Sequence, residues 1–361
     1  MPSAAGSPAS TRDPLASRLP VTIITGFLGS GKTSLLRRLL RHPGMERAAV
    51  IINEFGDVGL DHELVEAASE QMMLLSNGCL CCAVRTDLQE TLRELFVRRR
   101  AGEVIDFDRV FVETTGLADP VPVLHTLDSD SMLSAQYRLN GVVTLVDAVN
   151  GMGQLDNLLE AAKQAAVADR LVITKTDIAD AAQASALGAR LTAMNPYALV
   201  STAIDGRLDP QLLAEIVPAS AQALARNPDR WLAAAGAEAR LRDAVRAPVP
   251  THGASAHDAA IRSFCLWFDA AFTWDTLNTS LQVLTSLRGP DLLRVKGIVN
   301  VAGETGPVAI HGAQHVFHPP VRLESWHGDE RRSRIVFIVR DIPRASIEAV
   351  FAAVGQLGSA A

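Results

Sequence analysis

Short apolar segments alternate with amphipathic ones along the first part of the chain, between Val21 and about Pro210. Apolar runs of this length, rich in β-branched residues, are typical of strands covered on both faces, and the helical spacing between them indicates crossover helices. The pattern predicts a doubly wound, mostly parallel sheet of the α/β class. Each predicted strand closes on a polar residue, at the edge where open α/β sheets bind their ligands. The predicted strands are 21–25, 48–53, 110–113, 142–147 and 171–174.

A second unit with a different pattern begins after residue 260. Strand-like runs occur there with two helices, and Gly289 and Pro290 stop the first helix. This order predicts a smaller α+β domain with its helices on one face of an antiparallel sheet. The expected divisions are a flexible leader at 1–18, the α/β domain at 19–215, a helical segment and linker at 216–260 and the α+β domain at 261–361. The predicted strands of the second unit are 263–268, 293–301, 308–317, 321–326 and 334–339, and its predicted helices are 274–287 and 344–357.

The composition supports a globular chain of about two domains. Of its 361 residues 48% are apolar, and 34 basic against 40 acidic residues leave a net charge of -6. That balance gives no reason to expect a nucleic acid partner. No run approaches the roughly 18 apolar residues of a spanning helix, and the leader lacks the apolar core of a secretory signal. We therefore expect a cytoplasmic protein with no membrane partner.

A glycine-rich turn connects the first predicted strand to the first predicted helix. It matches the P-loop pattern G-x4-G-K-T, in which backbone N–H groups point at phosphate oxygens and the helix N-terminus adds to the attraction. In that pattern the lysine would reach the outer phosphates and the threonine would hold magnesium. The turn therefore predicts a nucleotide site. Its candidate residues are Gly26, Phe27, Leu28, Gly29, Ser30, Gly31, Lys32 and Thr33.

The sequence Thr-Lys-Thr-Asp, residues 174–177, follows the last strand of the first unit. Asp177, placed at the nucleotide edge, would accept both N–H groups of guanine, a pairing that adenine does not offer. A site that hydrogen-bonds its ligand discriminates well because a wrong ligand leaves the buried acceptor unpaired. Lys175 would lie along the base. The alternative is a surface turn, but its position after a P-loop and several βα units favours GTP.

Glu113 and Gly116 occupy the strand end where P-loop proteins have an acid and a mobile glycine. Glu113 would reach magnesium directly or through water, and the Gly116 N–H would sense the γ-phosphate. The alternative is a plain strand end followed by a helix cap.

Cys79, Cys81 and Cys82 form the C-x-C-C motif that distinguishes this chain. Thiolates suit zinc and other soft ions, and three of them would fill three corners of a tetrahedron. An open fourth corner suits a metal that is passed on, provided that the preceding turn brings the sulfurs together. Three buried apolar cysteines and a redox thiol cluster are the alternatives.

Together, the P-loop, Asn-Glu-Phe-Gly at 53–56, C-x-C-C, Glu-Thr-Thr-Gly at 113–116 and Thr-Lys-Thr-Asp resemble the CobW-type GTPases. Those are relatives of the nickel-insertion GTPases UreG and HypB. The resemblance extends over nearly the whole chain, because Arg-Val-Lys-Gly at 294–297 and His-Gly-Ala-Gln-His at 311–315 look like the second domain of that family. It implies a metallochaperone that binds GTP with Mg²⁺ and carries a metal at the cysteines. That metal is most often zinc, with cobalt in the cobalamin branch.

Residue by residue, the resemblance implies that Lys32 and Thr33 serve phosphate and magnesium, that Asp177 serves guanine, and that the metal site consists of Cys79, Cys81 and Cys82. Together with Glu113 and Gly116 at their strand end, Lys32 and Thr33 are the candidate catalytic residues. The resemblance also gives Glu54 and Asp57 as candidate metal ligands; relatives usually have Glu at the position of Asp57, so this carboxylate has a shorter reach. The implied partner is an apo-metalloenzyme client, with a nucleotide- or metal-dependent homodimer as a further option. Basal hydrolysis is expected to be slow, because the sequence has no obvious water-positioning glutamine or arginine finger.

Other function classes remain open at this point. One is a nucleotide-gated zinc store or sensor without a client, and another is a thiol redox switch on a GTPase. His311, His315 and His318 add a further option, because two of them could share a strand face and bind a second metal. A strand surface or an interdomain hydrogen bond is the alternative for these histidines.

Overall fold

The computed structural model describes residues 18–53, 73–74, 80–84, 88–214, 216, 261–323, 325–326 and 330–358. Its first sheet has eight strands in the order β3-β4-β2-β5-β1-β6-β7-β8. All neighbours in this sheet pair in parallel except β3 with β4. The strands are β1 (Leu19–Gly26), β2 (Ala48–Asn53), β3 (Met73–Leu74), β4 (Leu80–Val84), β5 (Arg109–Thr114), β6 (Tyr137–Asp147), β7 (Arg170–Thr174) and β8 (Leu199–Ala203).

Helices cover both faces of this sheet, as the nearly continuous apolar strands predict. On one face, Leu35 and Leu39 of α1 pack against strand residues such as Val143. On the other face, Leu92 of α2 and Leu124 of α3 pack against the same strands. The helices are α1 (Lys32–Leu40), α2 (Leu88–Ala101), α3 (Val121–Ser129), α4 (Ser131–Gln136), α5 (Gly151–Asn157), α6 (Leu159–Val167), α7 (Ala181–Met194) and α8 (Gln211–Ala214).

The second sheet has six strands and is antiparallel throughout. Its order is β12-β11-β10-β14-β9, and β13 pairs with β11. Two helices pack on one face, where Leu281 and Phe351 meet Val295 and Phe337. This unit comprises β9 (Ile261–Phe268), α9 (Trp274–Arg288), β10 (Arg294–Val299), β11 (Val308–Ala313), β12 (Val316–Phe317), β13 (Val321–Arg322), β14 (Ser333–Arg340) and α10 (Arg344–Gly358). The predicted fold class, a doubly wound α/β sheet followed by a smaller α+β domain, is confirmed.

The sheets differ from the sequence prediction in several features, and the short strands β3 and β8 are among those that the pattern did not predict. The run 308–317 is a hairpin of β11 and β12, because Gln314 turns the chain with φ 53. The expectation that two of the histidines share a strand face therefore fails for His311 and His315, because His315 lies in the turn. The C-x-C-C segment also contributes a strand, β4, that the pattern did not predict.

The two domains meet through apolar and ionic contacts. Leu293 and Ile338 of the second domain join the core of the first. At the centre of the interface the buried Asp169 carboxylate accepts hydrogen bonds from Arg294 and, at 2.7 Å, from Lys296. Burial alone would raise the pKa of Asp169, but the two cations outweigh it and hold that pKa well below its ordinary value. A buried carboxylate of the first domain, paired with two cations of the second, therefore holds the interface together.

The predicted leader at 1–18, apart from Arg18, and nearly all of the predicted linker at 216–260 lie outside the described residues, so these divisions stay predictions. Among the helices that the structure describes, none is long and apolar enough to cross a bilayer.

Candidate functional site

The P-loop lies between β1 and α1, at the carboxyl edge of the central strand. Gly31 precedes α1 with φ 90, a left-handed conformation that favours glycine. The turn is closed by a hydrogen bond from the Ser30 N–H to the Phe27 carbonyl at 3.1 Å. The backbone therefore adopts a compact turn before a helix N-terminus, which suits an anion.

Lys32 is buried and folds over this turn. Its Nζ donates to the carbonyls of Gly26 at 2.8 Å and Phe27 at 3.3 Å. Burial lowers the pKa of Lys32, while the nearby Glu113 carboxylate acts in the opposite direction. An anionic ligand bound at this turn would stabilise the positive charge of the buried Lys32 ammonium.

Thr33 and Glu113 come together although they are far apart in the sequence. The Thr33 hydroxyl donates to Glu113 Oε1 at 2.9 Å, and the Glu113 side chain is buried at the end of β5. Hydroxyl and carboxylate oxygens are hard ligands of the kind that Mg²⁺ prefers. The residues present therefore fit a magnesium ion beside the P-loop.

The loop after β5 touches the P-loop at Gly116. A Cβ at this position would lie 2.7 Å from the Leu28 backbone nitrogen, so any larger residue would push the two loops apart. The Gly116 segment therefore lies directly against the loop that is predicted to bind phosphate.

Gln164 of α6 holds this loop, and sequence analysis missed it. The buried Gln164 amide donates to the carbonyls of Gly116 at 3.1 Å and Ala118 at 2.9 Å. The Thr144 hydroxyl of β6 in turn donates to the Gln164 backbone carbonyl at 2.7 Å. No local motif marks this glutamine, because its partners are remote in sequence.

The Thr-Lys-Thr-Asp turn lies beside the P-loop at the end of β7. The Thr174 hydroxyl donates to the Ser30 carbonyl at 2.8 Å, which joins the two motifs. Lys175 has φ 58 and pairs with Asp147 at 2.8 Å, and the Asp177 side chain is exposed on the same turn. The predicted base-binding residues are therefore next to the predicted phosphate-binding ones.

Asp147 is a site residue that the sequence presented only as a polar strand end. Burial would raise the pKa of Asp147, but hydrogen bonds from Lys175, Asn150 and the Val149 N–H outweigh it and lower that pKa. The ionised Asp147 fixes the turn that presents Asp177.

The structure describes the metal motif in part. The backbones of Cys81 and Cys82 lie in β4, where Cys82 pairs in register with Ile51 of β2. Cys79, Glu54 and Asp57 lie outside the described residues. The three-cysteine site and the two acidic candidates stay predictions.

The three candidate histidines of the second domain fall into two environments. His311 and His318 are buried and stacked, with ring centroids 4.2 Å apart. Burial, and to a smaller extent the neighbouring His318, lower the pKa of His311 well below its ordinary value. His315 lies in the hairpin turn and is exposed. Within the described segments, no group of three or more histidine, cysteine or acidic residues is placed to hold a metal.

Comparison with known families agrees with this arrangement. Residues 20–202 match the family described as CobW/HypB/UreG, nucleotide-binding domain. The chain belongs to this family. Residues 261–355 match the C-terminal domain of the cobalamin synthesis protein cobW.

Similar members of the family cover nearly the whole chain. The zinc chaperone YjiA of Escherichia coli is 32% identical over 92% of this chain and 98% of its own length. The zinc chaperone CobW of Pseudomonas aeruginosa is 30% identical over 91% of this chain and 90% of its own. A crystal structure of the Zn(II)-bound YjiA GTPase from E. coli superposes with a TM-score of 0.69 and 30% identity, covering 93% of this chain and 99% of that one. Both the nucleotide-binding domain and the C-terminal domain of these relatives therefore have counterparts in this chain.

Proposed function

We propose that this chain is a GTP-hydrolysing metallochaperone that carries zinc at Cys79, Cys81 and Cys82 and delivers it to an apo-metalloenzyme. The observation that supports it most is the strand register between the two motifs. Cys82 pairs with Ile51, and Ile51 pairs with Val112, which directly precedes Glu113. At about 4.8 Å per strand spacing, the backbone at Cys82 is about 10 Å from that at Val112.

This register supports a mechanical link between metal and nucleotide. Glu113 lies between the nucleotide site and this row of paired strand residues. It follows Val112 in β5, and its side chain accepts a hydrogen bond from Thr33 of the P-loop. A change at the phosphate site that moves the end of β5 would pass through one intervening strand to β4. GTP binding would then favour one geometry of the cysteines, and GDP another.

In the proposed hydrolysis the protein supplies positioning and charge. Magnesium, bound by Thr33 and Glu113, would neutralise charge on the phosphate oxygens. Lys32 would exchange its carbonyl partners for the outer phosphates. The Gly116 N–H, in a loop held by Gln164, would contact the γ-phosphate and move when that phosphate leaves.

Two proposals concern selectivity. Asp177 would select guanine through the two N–H groups of the base. Zinc is favoured over cobalt as the cargo because the similar full-length relatives are named zinc chaperones.

Basal GTP hydrolysis would be slow, because a docked client would be needed to complete the catalytic site. In other GTPases such partners raise the rate of hydrolysis by about 10³- to 10⁵-fold.

The nucleotide edge also offers an apolar surface to a partner. Leu28 of the P-loop and Leu117 of the following loop are 56% and 55% exposed. A client, or a second copy of this chain, would cover them in the GTP state. Size-exclusion with a non-hydrolysable GTP analogue distinguishes the two partners.

An anaerobic zinc titration tests the cargo site. We expect the wild type to bind one metal ion at the cysteines, seen as thiolate-to-metal absorption in a cobalt-substituted sample. Cys81→Ala should lose this absorption, whereas Cys265→Ala, which removes a buried thiol in β9, should retain it. If Cys81→Ala bound the metal unchanged but lost a response to oxidants, the chain would be a redox switch instead.

A further inference from the structure

Two histidines from different domains approach each other on the surface. His125 lies on α3 of the first domain, and His315 lies in the turn between β11 and β12 of the second. Their ring centroids are 5.5 Å apart with an interplanar angle of 53°, and both side chains are exposed. Two imidazoles at this separation can each place a nitrogen about 2.0–2.1 Å from one shared zinc ion.

The surrounding contacts hold in place the two backbone elements that carry the rings. Gln314 turns the hairpin with a left-handed backbone, and its N–H donates to the Leu292 carbonyl at 2.8 Å. The buried Gln314 amide donates to Asp119 Oδ2 at 3.0 Å. Asp119 Oδ1 accepts the Val121 N–H at 3.0 Å, at the first residue of α3.

Two hydrogen bonds to the Asp119 carboxylate therefore connect the turn that carries His315 to the helix that carries His125. The backbone positions of both ligands are fixed before a metal arrives, which reduces the ordering cost of binding. Such a pair differs from two unrelated surface histidines, because each ring is attached to a rigid element.

We propose that His125 and His315 form a second zinc site, separate from the cysteine motif, that bridges the two domains. Neutral imidazole is a preferred ligand of zinc. Two protein ligands leave the other positions of the tetrahedron to water, so the ion exchanges readily and the site is weaker than a closed structural one.

The location gives the site a role. Asp119 follows the Gly116 loop by three residues, and it contacts both Gln314 and, at 3.7 Å, Lys163. Zinc on His125 and His315 would fasten the second domain to the segment that senses the γ-phosphate. The site would therefore stabilise one domain arrangement when zinc is abundant.

Zinc titration of the full chain under anaerobic conditions tests the site. Wild type should show a second, weaker zinc in addition to the cysteine-bound one. His125→Ala and His315→Ala should each weaken that second zinc by at least the roughly 10- to 100-fold typical of losing even an outer partner. The control is His42→Ala, an exposed histidine after α1 that should leave both zinc ions unchanged.

Thermal unfolding supplies the second readout. Without zinc, the His125→Ala and His315→Ala variants should have the same unfolding temperature as the wild type, because both side chains are exposed. Added zinc should raise the unfolding temperature of the wild type more than that of either variant. Unchanged zinc binding in both variants, or a change in only one of them, would overturn the bridging site.

The outcome is independent of the cysteine proposal. Cobalt bound by two imidazoles lacks thiolate absorption, so the two sites are counted separately in one sample. Loss of the thiolate signal in Cys81→Ala, with the weaker site intact, would support both proposals. Retention of that signal would refute only the cysteine cargo site.

Discussion

Asp177 is the single residue on which, in our proposal, the choice of nucleotide depends. Its exposed carboxylate extends from a turn that Lys175 and Asp147 fix through an ion pair at 2.8 Å. A carboxylate held this way at the carboxyl edge of the sheet offers two acceptor oxygens to one base edge. In our proposal, nucleotide specificity therefore depends on the Asp177 side chain and on the two residues that orient its turn.

Replacing Asp177 by Ala should weaken GTP binding by about 10- to 150-fold, the equivalent of about 1.5–3 kcal/mol for hydrogen bonds to a charged group. Inosine triphosphate lacks the amino group of guanine, so the wild type should prefer GTP over it and the variant should not. Competition against a fluorescent GTP analogue measures both values. Asp156→Ala, which removes an exposed carboxylate, is the control. An unchanged preference in Asp177→Ala would remove this residue from the base site.

Local motifs made this level of the molecule predictable in part. The P-loop, Lys175 and Asp177 were identified because each lies within a few residues of its motif partners. Gln164 was not, since it is 48 residues from Gly116 and has no motif of its own. The proximity of His125 to His315 could not be predicted from the sequence either, because it depends on how the two domains dock.

At the scale of elements, the loop after β5 is the part that the nucleotide would move. Gly116 packs on the P-loop, Gln164 holds two carbonyls of the loop, and Asp119 bonds the second domain. The loop therefore has one contact toward phosphate, one toward α6 and one toward the hairpin of β11 and β12. We expect a change at any one of these contacts to affect the other two.

Gln164→Met should slow hydrolysis while leaving GTP binding nearly unchanged. Methionine keeps the volume of the side chain but leaves the Gly116 and Ala118 carbonyls without their donor, at about 1–3 kcal/mol for a buried acceptor. If that loss falls on the positioning of Gly116, the turnover number drops roughly 10- to 100-fold. Single-turnover hydrolysis and equilibrium GTP binding measure the two effects separately.

Gln183→Met is the matched control for that experiment. The Gln183 amide donates to the Val149 carbonyl at 2.9 Å on an exposed part of α7, away from the loop. Its hydrolysis should equal that of the wild type. Equal turnover in both methionine variants would mean that Gln164 only supports the fold.

The apolar strands and their order of appearance made the first sheet predictable, because buried parallel strands have a distinctive composition. Strand β8 was missed because four of its five residues are intermediate or exposed, so it lacks the buried apolar run by which the other strands were predicted. The β11–β12 hairpin was missed because Gln314, rather than glycine, takes the left-handed turn. Turns made by such residues carry a weak sequence signal.

At the scale of the whole molecule, the second domain is fastened to the first by a buried charge cluster. Asp169 of the first domain accepts hydrogen bonds from Arg294 and Lys296, while its second oxygen accepts the Val142 N–H at 3.0 Å. Removal of one member of a buried ion pair typically costs about 3–5 kcal/mol, because the opposite charge stays buried. The domains are therefore expected to unfold together.

Asp169→Asn should lower the free energy of unfolding by about 3–5 kcal/mol in a denaturant titration. An Asp156→Asn control at an exposed ion pair should change it by less than about 1 kcal/mol. The pKa of Asp169 is lowered in the folded protein, so its stabilisation is complete above the unfolded value of about 3.9 and is lost as pH falls below it. The wild type should thus lose stability below about pH 4 more steeply than Asp169→Asn. Parallel pH profiles would contradict the assignment.

The central claim is that nucleotide state controls zinc affinity through the short path from β5 to β4. The most direct measurement is the zinc dissociation constant of the wild type with a non-hydrolysable GTP analogue, with GDP and without nucleotide. Cys81→Ala serves as the reference for zinc bound elsewhere. We predict tighter zinc binding with the GTP analogue than with GDP, and no such difference in Cys81→Ala. The same affinity in all three nucleotide states would contradict the account, because a ligand that binds both states equally shifts neither.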